Sequence, residues 1–203
     1  TLLLNATWTN DKRDSLIYTT SGSLQRAYAE VGLPGADLKF YKLNYQHQKF
    51  FPLTKEITLM LNGEFGLGDG YSGETLPFFR NFYAGGMGSV RGFKSGSLGP
   101  KDVYPNEENA LGGNRRLVGN AEFLMPVPGF GLDKSFRFGG FFDAGYVWAT
   151  GEKMRLSDLR YSVGVSVAWA SPFGPLKVSV AQPLNKKSGD QIERFQFQMG
   201  TSF

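Results

Sequence analysis

Three charged residues far apart in the chain, Arg91, Glu122 and Asp143, are placed to form an internal ion cluster. Glu122 stands on the parity opposite to Leu117, Ala121, Phe123 and Met125. Asp143 likewise opposes Phe138, Phe142, Ala144, Tyr146 and Trp148. Successive side chains of a strand point to opposite faces, so both acids lie on the face away from an apolar set. Two carboxylates on one enclosed face favour a cation, and a guanidinium can meet a carboxylate through two parallel N–H bonds. One expectation is that Arg91 reaches both acids and pins the loop that carries it. The alternative leaves the acids hydrated and Arg91 on the surface.

Other chemistries find little support. The single histidine, His47, shares its parity with Tyr41, Leu43 and Tyr45 near a strand end, which argues against a Ser/His/Asp site that needs a base beside a nucleophile. There is no cysteine, which excludes a disulfide scaffold and any thiolate metal site. The scattered Asp and Glu show no metal-ligand spacing, and Glu64, Asp69 and Glu74 do not form a paired-carboxylate site. Gly85-Gly86-Met87-Gly88 lacks the lysine and following helix of a phosphate loop. The net charge of +4 is modest and its basic residues are dispersed, so nucleic acid is not expected as a partner. No catalytic residue, metal or cofactor is assigned.

The elements that must position the cluster have a period of two. Ile57, Leu59, Leu61, Gly63, Phe65 and Leu67 alternate with mostly polar neighbours. So do Tyr161, Val163, Val165, Val167 and Trp169, and Phe195, Phe197, Met199, Thr201 and Phe203. Such alternation predicts half-buried strands, at 1–10, 16–33, 37–51, 55–68, 115–125, 135–149, 159–171, 175–184 and 191–203. The composition agrees, with 27 Gly and 15% aromatics. No apolar run approaches the length of a transmembrane helix. A transmembrane barrel averages out as polar, and the mean hydropathy of −0.26 fits one. Most runs are long enough for a tilted strand to cross a bilayer. Aromatics toward strand ends (Trp8, Tyr41, Phe50, Phe51, Tyr146, Trp148, Trp169, Phe203) suit an interfacial girdle.

Short turns and long loops orient such a barrel, short ones toward the periplasm. The first strand then runs inward from the outside, so barrel strands are expected before Thr1. No targeting signal is visible in Thr1 to Asn10. The segment 69–114 is too long for a simple connection. Its aromatic stretch Pro77 to Gly86, followed by Val90-Arg91-Gly92-Phe93, needs a surface to pack on, and the lumen is the nearest.

At these residues the chain resembles the BamA family of outer-membrane β-barrel assembly factors. The likeness rests on Asn81 to Gly86, Val90 to Phe93, Leu98-Gly99-Pro100-Lys101, Gly112-Gly113-Asn114 and Asp143 to Trp148. Trp169 to Leu176 and Ala181 to Leu184 complete it. The Val-Arg-Gly-Phe motif alone marks only the wider superfamily, which includes secretion transporters. The resemblance implies an all-β, antiparallel transmembrane β-barrel, of which about nine strands of sixteen are present, with loop 69–114 inserted in the lumen. Periplasmic POTRA domains and the first strands are implied to lie outside this sequence. It implies that the motif arginine, here Arg91, engages Glu122 and Asp143. It implies insertion and folding of outer-membrane proteins without ATP or catalysis, by lateral opening where the first and last strands meet. The last strand carries Phe195, Phe197 and Phe203, with Gly200 a candidate kink. Implied partners are unfolded outer-membrane protein clients, outer-membrane lipid and accessory lipoproteins, at the bacterial outer membrane. The competing reading is a secretion transporter or pore of the same superfamily.

Overall fold

The computed structural model describes residues 2–16, 18–33, 35, 38–104, 107–127, 135–172 and 174–200. Eight long strands carry the alternation: β1 (Leu3–Asp11), β2 (Gly22–Gly32), β3 (Phe40–Pro52), β4 (Thr58–Gly70), β8 (Arg115–Pro126), β9 (Phe136–Trp148), β10 (Arg160–Ser171) and β11 (Gly174–Pro183). Between β4 and β8 the long loop forms β5 (Gly92–Phe93) and a hairpin of β6 (Lys101–Tyr104) with β7 (Glu107–Ala110). The chain then reaches β12 (Ile192–Glu193) and β13 (Phe195–Met199). A single antiparallel sheet runs in the order β1-β2-β3-β4-β8-β9-β10-β11-β13, so the whole of the long loop is one connection between neighbouring strands. β1 and β13 are its edges.

Alternation sorts the two faces as a barrel wall requires. Leu43, Tyr45, Leu61, Phe65, Phe123 and Phe142 are exposed on the outside. On the inside a polar row crosses four strands. Gln46 Nε2 donates to Asn62 Oδ1, Asn62 Nδ2 to Asn120 Oδ1, and Asn120 Nδ2 to Asp143 Oδ1, each at 2.9 Å. The hydrophobic core is built by the loop rather than by the sheet. Phe82, Ala84, Val90, Phe93 and Leu98 from the loop pack on Val118 and Val147 of the wall.

Three expectations change. The second strand begins at Gly22, not at residue 16. Residues 12–16 and 18–21 instead form a strap, because Asp14 accepts from the Thr20 and Ser21 N–H groups and the Thr20 hydroxyl, replacing ladder bonds. At the far wall Arg137 donates to the Thr19 and Tyr18 carbonyls, with its guanidinium 4.9 Å from the Tyr18 ring. The Tyr18 hydroxyl donates to the Ser135 carbonyl and accepts from Ala170 N–H. The strap thus crosses the end of the sheet opposite the long loop. Second, Trp148 and Phe50 are not girdle residues: both are buried, and the indole N–H of Trp148 faces Asp158 at 3.3 Å. Third, the last strand is not continuous. It breaks at Arg194 into β12 and β13, and Phe203 lies outside the described residues.

Candidate functional site

The structure brings Arg91, Glu122 and Asp143 together on the inner face. Arg91 presents the side of its guanidinium to Asp143, Nε to Oδ2 at 2.7 Å and Nη2 to Oδ1 at 2.8 Å. Its backbone N–H also donates to Oδ2 at 3.0 Å, so Asp143 holds the chain as well as the side chain. The remaining terminal nitrogen, Nη1, meets Glu122 Oε2 at 3.1 Å. The guanidinium carbon lies 3.4 Å from the Phe141 ring centroid, a cation–π contact on its open side. All three ionisable groups are at most 3% exposed.

Burying an isolated charge at such depth is prohibitive, so the cluster must balance. Lys177 does this: its Nζ lies 3.1 Å from Glu122 Oε2, giving two cations for two carboxylates. Ser166 donates to Glu122 Oε1 at 2.6 Å, and Asn120 supplies the second donor to Asp143 Oδ1. Lys177, Ser166 and Asn120 are additions to the sequence reading. Their signal was parity: Lys177 opposes Leu176, Val178 and Val180, and Ser166 opposes Val165 and Val167.

The rest of the motif is fixed by shape. Val90 and Phe93 are fully buried. Gly92 has φ +87°, and a Cβ there would stand 3.0 Å from the Ala181 Cβ. A second anchor holds the rising limb of the loop on the other wall. Arg80 pairs with Glu30 at 3.3 Å, Lys42 Nζ donates to the Arg80 carbonyl at 2.6 Å, and the same ammonium lies 4.2 Å from the Phe82 ring. Phe82 sits where a side chain on Gly66 would be, with a Cβ there only 2.6 Å from its ring. On the last strand Phe195 and Phe197 face outward, 63% and 58% exposed, while Gln196 between them is buried. Gly200 has φ +85°. Among the described residues no group of three or more His, Asp or Glu could hold a metal ion.

The Omp85 superfamily domain model matches residues 1–203, the full length of the sequence. The chain belongs to the Omp85 superfamily. Within it, the outer membrane protein assembly factor BamA of Neisseria meningitidis is 44% identical across 97% of this chain, which spans 28% of that relative. The sorting and assembly machinery component 50 homolog of Mus musculus is 28% identical over 95% of the chain and 44% of its own length. Among solved structures, BamA from Haemophilus ducreyi lacking POTRA domains 1–3 superimposes with a TM-score of 0.89 at 30% identity. That match covers 99% of this chain and 42% of the other. The fold is therefore that of an Omp85 barrel wall, and the chain spans less than half the length of these relatives.

Proposed function

We propose that the chain serves, as part of a larger closed barrel at the bacterial outer membrane, in the assembly of other outer-membrane β-barrel proteins. In the full-length parent, further strands and periplasmic POTRA domains complete the machine. It inserts and folds its clients without ATP or catalysis. Unfolded outer-membrane proteins, outer-membrane lipid and accessory lipoproteins are its partners. The observation that supports this reading is a lumen occupied by a loop that Arg91 pins to Glu122 and Asp143, beside a last strand that lies at the sheet edge. A filled lumen suits a client route through the wall, at the seam where the last strand meets the parent's first strand and an incoming strand can enter by edge pairing.

The test uses the full-length parent in liposomes with an unfolded model barrel client and no nucleotide. Faster client folding is the expected result. A cysteine replacing Phe197, crosslinked to one on the parent's first strand, should stop it, and reduction should restore it. Full activity while crosslinked counts against lateral opening. Large, steady single-channel conductance with no effect on client folding would favour a pore and sink the assembly reading.

A further inference from the structure

The β11–β13 ladder ends for a covalent reason. Ala181 N–H donates to the Arg194 carbonyl at 2.9 Å, so the N–H groups of alternate residues of β11 face the last strand. The next residue on that side is Pro183, which has no N–H to give. Beyond Arg194 the last strand has lost its partner on β11, and β12 begins with its backbone unpaired on that side.

The plug supplies the replacement. Ile192 and Glu193 pair antiparallel with Phe93 and Gly92 of the motif, and Lys94 N–H donates to the Gln191 carbonyl at 2.9 Å. One side chain completes the junction. Gln196, 5% exposed, accepts from Gly92 N–H at 3.3 Å and donates to the Phe93 carbonyl at 2.8 Å. Its amide thus serves the same motif residues that the backbone of β12 pairs with. Gly92 is meanwhile pressed against β11 at Ala181.

We infer that the plug motif is the strand partner of the outer half of the last strand, with Gln196 as the positioning residue that latches the two into one mechanical unit. Any sideways movement of the last strand then loads the Arg91 cluster, and release of Arg91 frees the strand. This deepens the assembly reading by naming what restrains the seam.

The test is hydrogen exchange by mass spectrometry on the full-length parent in lipid nanodiscs, comparing peptides over 90–95 and 190–195. Gln196→Met, of similar size without the amide, should raise exchange in both segments together. Two hydrogen bonds of ordinary net worth predict roughly a ten- to thirtyfold rise. The β3–β4 peptides should not change. Arg91→Lys, which forfeits the two-point contact with Asp143, should also raise exchange over 190–195. A Lys94→Cys, Gln191→Cys pair should form a disulfide in the folded protein and, when oxidised, restore protection to Gln196→Met. A rise confined to one segment, no response over 190–195 to Arg91→Lys, or failure of the disulfide to form would each overturn the latch. These readouts do not involve a client. Intact coupling with no insertion would fail the assembly reading alone, and insertion with no coupling would fail the latch alone.

Discussion

Arg91 is held by more contacts than any one of them needs. Reversing its charge leaves three negative groups facing one lysine in a buried cluster. Arg91→Glu should therefore cost on the order of 3–5 kcal/mol, the range for breaking a buried pair. Protease resistance of loop 69–114 and the thermal midpoint check it; no change in either would remove the cluster's role in holding the loop. Lys177→Met is subtler, because it uncovers Glu122 while leaving Arg91 in place. It should destabilise less than Arg91→Glu, and a double mutant with Glu122→Gln should recover part of the loss. A third substitution tests the second anchor: Gly66→Ala drives a methyl into the Phe82 ring, for about 1–3 kcal/mol of overpacking. At this scale the acids were legible because parity is a strict rule of strands. Gln196 was not, since Gln196 and Gln198 read alike as inner-face polar residues. Nothing local says which of the two meets a loop more than a hundred residues away.

Among the elements, the strap that follows β1 shows where pattern reading stops. Alternation continues through Leu16, Tyr18 and Thr20, yet Asp14 wins the backbone N–H groups that a strand would have used. Although desolvation pushes it up, the bonds from Thr20 and Ser21 together outweigh that and hold the Asp14 carboxyl at about 2, below its usual 3.8. A depressed carboxylate contributes stability above its ordinary value and loses it as the pH falls toward the folded value. The strap should accordingly loosen between about pH 4 and pH 2, seen as faster exchange of the Thr20 and Ser21 amides. Asp14→Asn should flatten that pH response, while Arg137→Gln should free the strap from the far wall at any pH. Strand existence and order were readable from alternation and turn residues. The break at Arg194 was not, although Pro183 stood in plain view: a missing donor matters only once it is known which neighbour it faces.

For the whole molecule, the sheet places every pinned residue at a sequence distance that no hairpin bridges. Arg91 lies 31 residues before Glu122 and 52 before Asp143, and Gly92 lies 104 before Gln196. The barrel class was legible because lipid outside and water inside impose one repeating pattern on every strand. That the core is donated by a loop was legible only in part, from aromatics with nowhere else to go. The sequence separations also set an order in time. The motif at 90–93 is synthesised before either of its acids exists, and closing contacts of such span is slow. Its motif has no acid to bind until β8 and β9 have paired, and no strand to pair with until the last strand arrives. Pulse-labelled refolding should show protection of β8–β10 ahead of residues 84–99, with 190–195 last. The motif is thus seated only by strands made after it, and its seating records that the wall behind it is already complete.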